Sequence, residues 1–537
     1  MSHQSLKFYN MKKHILIYFI LLFNLHFILA QPSIQWQKCL GGSLGDGAAC
    51  IEATFDGGYI IAASTFSTDG EITFNHGFRD IWIVKTNNSG IIQWEKSLGG
   101  SGDEWSIDIK PMSDGGYLLA GTSSSTDGDI LSHHGSSDYW VVKLDSLGEI
   151  QWQNTYGGSN MDLLFSMSLT HDGGCILAGA SNSNDGDVSG NHGMDDCWIV
   201  KLDANGAIQW KNSFGGSQFD AGYSALQTAD GGYIISATSE SNDGDVSGNH
   251  GSSDIWVIKL DSIGHIQWEK CFGGSVTDFA REMLVTTNDE YIVVGSSQSN
   301  DGDISGNHGN YDFWIAKLNN AGVLLWQNSL GGSLNEQVSS VDQALDSGYV
   351  LAGTSDSNNG QVSGNHGDVD SWIAKVDRNG IFQWQKSIGG SSYDELRSIK
   401  ATYDGGYILS GTSTSNDGDV AGNHGGYDCW LVKLSALTIL SDAAQNKSNI
   451  SVYPNPFIDH TKISFELNST ENIKIYIRDS KGSFITDLNN KNLILGNNTI
   501  EWQGTDSKGN EVGAGLYIIT IESNSIEQSR TIVLQRN

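Results

Sequence analysis

Basic residues, proline and cysteine are all scarce in this 537-residue chain. Thirty Lys and Arg stand against 62 Asp and Glu, a net charge of −32, which excludes nucleic acid as a partner because phosphate binding needs a basic surface. Four Pro exclude collagen-like and proline-rich stalks, and 6 Cys are too few for a disulfide-built scaffold. Only 17% of residues are charged while 38% are hydrophobic, so the chain is not a disordered polyacid. What it has instead is 66 Gly and 16 Trp, a composition of tight turns between aromatic-rich strands.

The one long apolar run is at the start. Lys12 and Lys13 precede an apolar stretch over 15–30, broken only by Asn24 and His26. A short basic region, a hydrophobic segment of this length and a small residue before Gln31 predict a secretory signal peptide over 1–30, cleaved after Ala30. The competing reading, an N-terminal membrane anchor, needs a longer run. Position 31 is not Cys, so no lipoprotein is expected. No later segment approaches 18 apolar residues, so no spanning helix is expected in the mature chain. The expected compartment permits disulfides.

From residue 31 to 440 one unit is written seven times. Trp36, Trp94, Trp152, Trp210, Trp268, Trp326 and Trp384 recur every 58 residues, each after Gln or Leu. A second series, Trp82, Trp140, Trp198, Trp256, Trp314, Trp372 and Trp430, has the same spacing. In the copy around Trp256, four segments alternate apolar and polar residues, at 223–228, 233–238, 255–260 and 265–271. Asp230-Gly231-Gly232 joins the first two and Asp261-Ser262-Ile263-Gly264 the last two, both tight-turn signals. Four strands per repeat and seven repeats predict an all-β, seven-bladed β-propeller. Its Trp pairs are expected to form blade-packing core. The units also resemble the β-propeller repeats of secreted bacterial proteins. The resemblance lies in Leu-Gly-Gly-Ser, Asp-Gly-Gly-Tyr, Ala-Gly-Thr-Ser and Trp-Ile-Val-Lys-Leu-Asp, and covers 34–435.

The repeat is out of phase with the blade. The first strand, 34–40, has no preceding partner and the last, 429–434, has no following one, so the N-terminal strand is expected to complete the seventh blade. A hairpin register pairing residue 255 with 271 would, at the closure, set Cys39 opposite Cys429. A disulfide between them is the expectation, with two free buried thiols as the other reading.

Each long loop reads close to Asn-Asp-Gly-Asp-Val-Ser-Gly-Asn-His-Gly-x-x-Asp-x-Trp. Its His residues are His76, His134, His192, His250, His308, His366 and His424. The Asp two before each second-series Trp is Asp80, Asp138, Asp196, Asp254, Asp312, Asp370 or Asp428. Two carboxylates about a Gly turn and a later Asp offer oxygen ligands to calcium. The candidate sets are Asp127, Asp129 and Asp138; Asp185, Asp187 and Asp196; Asp243, Asp245 and Asp254; Asp301, Asp303 and Asp312; and Asp417, Asp419 and Asp428. The favoured reading is a hydrogen-bonded loop, similar to the His, Asp and Trp network of WD-repeat propellers, because imidazole suits other metals and the spacing fits no EF-hand. In the sixth repeat the pair becomes Asn359 and Gln361. An acid also follows each Gly-Gly-Ser: Asp46, Glu104, Asp162, Asp220, Asp278, Glu336 and Asp394. It either rings a channel mouth, attracting cations or a basic partner, or caps backbone N–H groups at the crossing.

After a polar linker at 441–449 the pattern changes. Tyr453-Pro454-Asn455-Pro456-Phe457, Gly496-Asn497-Asn498-Thr499-Ile500-Glu501-Trp502, Asp506-Ser507-Lys508-Gly509-Asn510 and Gly513-Ala514-Gly515-Leu516-Tyr517 predict a small β-sandwich over 450–537. This order of motifs resembles the type A C-terminal sorting domain of the type IX secretion system. The resemblance implies contact with that machinery and passage through the outer membrane of a Gram-negative bacterium. It also implies removal of the tail, then release or attachment to surface lipopolysaccharide. Gln535 departs from the pattern, which often has a basic residue there.

No nucleophile–base or phosphate-loop motif is present. The expected function is a secreted or surface-displayed non-enzymatic propeller that binds glycan or protein. The alternative is a polysaccharide hydrolase or lyase with its site at the channel mouth. Repeat departures that could mark a site are Asn359, Gln361, the Asn288-Asp289-Glu290 turn, Arg281 and Glu282.

Overall fold

The computed structural model describes residues 31–436 and 450–534, apart from short breaks within 454–526. The expected leader, the 441–449 linker and Gln535 lie outside the described residues. Two compact units divide near residue 440, and no described helix is long and apolar enough to cross a membrane.

The first unit is a seven-bladed propeller of four-stranded antiparallel sheets. Blade 4 has strands Asp220–Gln227, Tyr233–Ser239, Asp254–Leu260 and Ile266–Phe272. The first begins three residues before the apolar alternation does, because an irregularity between Gly222 and Ser224 breaks the period. The second and third strands are buried along their whole length, which is why they read as near-continuous apolar runs. The fourth is half-exposed and alternates. Blades 1, 2, 3, 5 and 6 repeat this over 46–98, 104–156, 162–214, 278–330 and 336–388. Blade 7 takes three strands from 394–434 and its fourth, Ile34–Leu40, from the N-terminus. The inner strands of blades 1 and 7 meet, closing the ring.

The core lies between blades. All seven second-series Trp are fully buried, each against the preceding blade: Trp256 packs with Ile176, Ala178 and Ile199. The first series sits on the half-exposed outer strands. Trp210 covers the blade 4 turn at Gly264, whose φ is +87° and where a Cβ would come within 2.8 Å of the indole. Gly264 therefore answers both a left-handed backbone and a close approach. In the other turn, Asp230 takes hydrogen bonds from Lys259 at 3.0 and 3.2 Å.

The expected cysteine pairing is corrected. Ile255 faces Phe272 and not Cys271, because the hairpin register shifts between Lys259 and Leu260. At the closure Cys39 accordingly faces Trp430 and Cys429 faces Leu40. The two thiols point to opposite faces of blade 7, Cys39 into the core with Trp430 and Cys429 into the core with Leu40. All six cysteines are buried free thiols.

The second unit is a small β-sandwich. Its three-stranded sheet comprises Ser451–Tyr453, Thr461–Leu467 and Gly496–Trp502. The four-stranded one comprises Lys474–Asp479, Phe484–Asp487, Gly515–Glu522 and Glu527–Leu534. Alternate residues such as Ile463, Ile475, Ile477, Trp502 and Ile519 fill its own core.

Candidate binding pocket at the channel mouth

The repeated polar loops are absorbed by the seams between blades. Between blades 4 and 5, Asp254 is fully buried and its Oδ2 accepts hydrogen bonds from His250, 3.0 Å from the backbone N–H and 2.6 Å from Nδ1. Asp278, also fully buried, accepts from Gly274 N–H at 2.9 Å, Ser299 at 2.8 Å and Ser297. The acid after Gly-Gly-Ser thus caps the crossing in every blade, and none lines an open mouth. Burial pushes the pKa of Asp254 and Asp278 up, and for Asp254 the neighbouring Asp278 charge adds to the effect. Asp254 Oδ1 has no hydrogen-bond partner. It lies against Gly273, where a Cβ would stand 2.3 Å from it and 2.9 Å from Asp278 Oδ2, so the crossing requires glycine.

The calcium candidates of one loop do not converge. Asp127, Asp185, Asp243, Asp301 and Asp417 each accept the N–H of Ser101, Ser159, Ser217, Ser275 or Ser391 at the preceding crossing. Asp129 and Asp245 accept Gly99 and Gly215 N–H there. Asp187 pairs with Lys211, Asp303 donates its backbone N–H to Gly273, and Asp419 lies 3.9 Å from His366. The third acids, Asp138, Asp196, Asp254, Asp312 and Asp428, are held by their loop histidines at the following seam. In the sixth repeat, Asn359 and Gln361 make the same caps on Ser333 and Gly331, at 2.9 and 3.0 Å. A neutral amide serves there as well as a carboxylate, so acceptance and not charge is what the position needs.

The asymmetric feature of the ring is a pocket of about 260 Å³ where blades 7, 1 and 2 meet. One inner-strand register builds it: Gly47, Trp105, Leu163, Ala221, Phe279, Gln337 and Glu395 are equivalent and all differ. Blade 1 has Gly47 and Ala49 where blade 2 has Trp105 and blade 7 has Glu395 and Arg397, and the pocket is the space those missing side chains leave. Trp105, 52% exposed, forms one wall. The Arg79 guanidinium lies 3.5 Å from its ring centre and 4.4 Å from that of Phe66, a cation held between two aromatic faces. Opposite, Tyr393 donates to Glu395 at 3.2 Å, and Arg397 Nη2 reaches the same carboxylate oxygen at 3.1 Å. Tyr427 completes the rim, with Ser64, Ser106, Thr412 and Thr414 lining the interior. The 58-residue period does not mark these residues, because they are what the repeats do not share. The available signal is Trp105, the one propeller tryptophan outside both 58-residue series.

The channel wall carries another departure from the repeat. Lys110 lies 2.6 Å from Glu52 and 3.0 Å from Asp108, and Lys400 bridges Glu52 and Glu282 at 3.7 and 3.8 Å. Burial alone would raise the Glu52 pKa, but the two ammonium groups hold it below the usual range. Arg281 lies 5.3 Å from the Tyr223 ring. Cys50, Glu52 and Asp108 are, among the described residues, the one set of three His, Cys or acid side chains whose ligand atoms all lie within 4.8 Å of one another, and Lys110 already occupies their carboxylates.

No curated protein matches the chain. Among solved structures, it resembles puromycin hydrolase at 11% identity and TM-score 0.43, over 79% of this chain and 59% of that one. It resembles BBS1N, solved in complex with ARL6DN, at 10% identity and TM-score 0.40, over 77% and 99%. It resembles PorZ of Porphyromonas gingivalis, a bacterial surface component of the type IX secretion system, at 11% identity and TM-score 0.24, over 96% and 88%. Within the second unit, residues 455–526 match the FlgD Ig-like domain family.

Proposed function

We propose that this chain is a non-enzymatic carbohydrate-binding propeller of the bacterial cell surface or exterior, exported by type IX secretion through residues 450–537. The observation that carries the binding reading is the pocket of Trp105, Arg79, Tyr393 and Tyr427. Aromatic faces, hydroxyls and charged donors around a small cavity match the alternating apolar faces and polar edges of a sugar ring. At about 260 Å³ the cavity takes a glycan chain end, not a folded protein epitope. The pocket lining offers a single carboxylate, Glu395, tied to Tyr393 and Arg397, whereas most glycosidases use a pair. The export reading rests on the motif order of the tail, its β-sandwich and its Ig-like match.

The test is affinity electrophoresis of the full chain through a panel of neutral and acidic polysaccharides, beside Trp105→Ala. Binding weakened roughly tenfold or more by Trp105→Ala, with no reducing ends released, is the expected result. Binding to none of the panel, binding indifferent to the substitution, or release of sugar products would overturn it. Deletion of 450–537 is expected to hold the protein inside the cell envelope, and undiminished secretion would remove the export reading.

A further inference from the structure

We infer that the ligand of this pocket is an acidic saccharide, a chain end bearing a carboxylate or sulfate that pairs with Arg79 and Arg397. The inference rests on the carbohydrate reading above and goes further by assigning the charge. The propeller has four arginines, at 79, 281, 378 and 397, and two of them line this one cavity in a chain of net charge −32. Each keeps donor capacity that its neighbours do not take up. Arg79 is mostly buried, yet its ionic neighbour is Asp103 at 3.7 Å, beyond hydrogen-bond range, and its Nη1 has no partner at all. Burial lowers the Arg79 pKa, the mark of a guanidinium placed where water solvates it poorly. A charge so held gains most from an anion brought to it. Arg397 is more than half exposed, and its hydrogen bond to Glu395 shares an acceptor oxygen with Tyr393.

The blades around the pocket sharpen the point. In the registers of Phe66 and Arg79, the other six repeats carry Ser124 and Ser137, Asn182 and Asp195, Glu240 and Ser253, Gln298 and Tyr311, Asp356 and Val369, and Thr414 and Tyr427. Only blade 1 places an arginine between aromatics, beside a gap left by Gly47 and Ala49. The surrounding acidic surface repels polyanions everywhere else, so an acidic glycan is directed to this pocket and not adsorbed at large. A planar guanidinium can donate two parallel hydrogen bonds to a carboxylate or sulfate while its face stays on the Trp105 ring.

The experiment compares the full chain on polygalacturonate and on its carboxyl-reduced form, and on a sulfated galactan and its desulfated form. At least one acidic polymer is expected to bind roughly tenfold or more tightly than its neutral counterpart. Arg79→Gln should abolish that preference and Arg397→Gln should reduce it, each read as the ratio of acidic to neutral binding. If acidic bind no better than neutral forms, or if the preference survives both substitutions, the charge assignment fails while carbohydrate binding stands. If no polysaccharide binds, both readings fall. Arg397→Gln, at an exposed position, decides the matter should Arg79→Gln not fold. The carboxylate and sulfate arms tell the two acidic groups apart.

Discussion

Asp220 shows how a single residue type serves the whole ring. Its carboxylate accepts Gly216 N–H at 2.7 Å and Ser241 at 2.8 Å while fully buried, and burial raises its pKa. Asp162, Asp254, Asp278, Asp312 and Asp370 are raised for the same first reason. A group whose folded pKa exceeds its unfolded value of about 3.9 keeps its proton longer in the folded state. Each such acid therefore favours the fold at low pH, and that contribution is lost as pH rises through its folded pKa. His424 acts in the same direction: burial opposes its charge, but Asp428 more than compensates and raises its pKa. Turn and loop acids such as Asp56 and Asp230 oppose them. Burial would raise them too, yet hydrogen bonds from Lys85 and Thr54, and from Thr228 and Lys259, hold each to about 2. Their contribution is complete above the ordinary carboxylate range and fails only as pH falls toward 2. The propeller is thus expected to melt at a higher temperature just above the ordinary carboxylate range than at pH 8, in scanning calorimetry at constant ionic strength. A melting temperature that climbs toward pH 8 would contradict this account of the seams.

At the scale of the strand and turn, spacing carries most of the information. Apolar alternation and Gly-rich turns locate the strands of blade 4 closely, because each residue's environment is repeated seven times and single exceptions do not blur the period. The hairpin register is one residue off for a physical reason: an irregularity beside the turn consumes a residue without changing the sequence pattern. That slip sends Cys39 and Cys429 to opposite faces, since side chains alternate with period two. The Asn288-Asp289-Glu290 departure also has a backbone meaning. Asp289 and Ser347 are, among the described residues, the only non-glycines with positive φ, at 60° and 66°, where the other blades use a glycine such as Gly231 at 83°. A side chain there strains the left-handed turn by about 1 kcal/mol, partly offset by the entropy glycine loses on folding. Ser347→Gly should accordingly stabilise the propeller by about 0.5 kcal/mol in urea unfolding, with the slope unchanged. A loss of stability would show that Ser347 supplies something besides backbone geometry.

The whole molecule explains both what was legible and what was not. Thirty-six of the 62 acids fall at six repeat positions, and the structure places them on seams and turns, so the global charge is mainly architecture. The pocket escapes a reading built on what repeats share, because it is made from what they do not share. Its residues also come from opposite ends of the propeller sequence: Phe66, Arg79 and Trp105 meet Tyr393, Glu395 and Tyr427 only once the ring has closed. Closure itself depends on Ile34–Leu40. That strand buries Cys39 and Leu40 in two separate inter-blade cores, and its Gln37 accepts the indole N–H of Trp430 at 3.0 Å. Without it blade 7 has three strands and Asp428–Leu434 becomes an open edge, a template for aggregation. Deleting 31–40 removes apolar burial on the order of 5 kcal/mol, comparable with the total stability of many domains. The propeller transition is therefore expected to fall sharply or vanish in calorimetry. Deleting 450–537 should leave it in place, because the sandwich folds around its own core of Ile463, Ile475 and Trp502. A propeller that melts unchanged without its first strand would mean that the ring is held by its blade-to-blade seams alone.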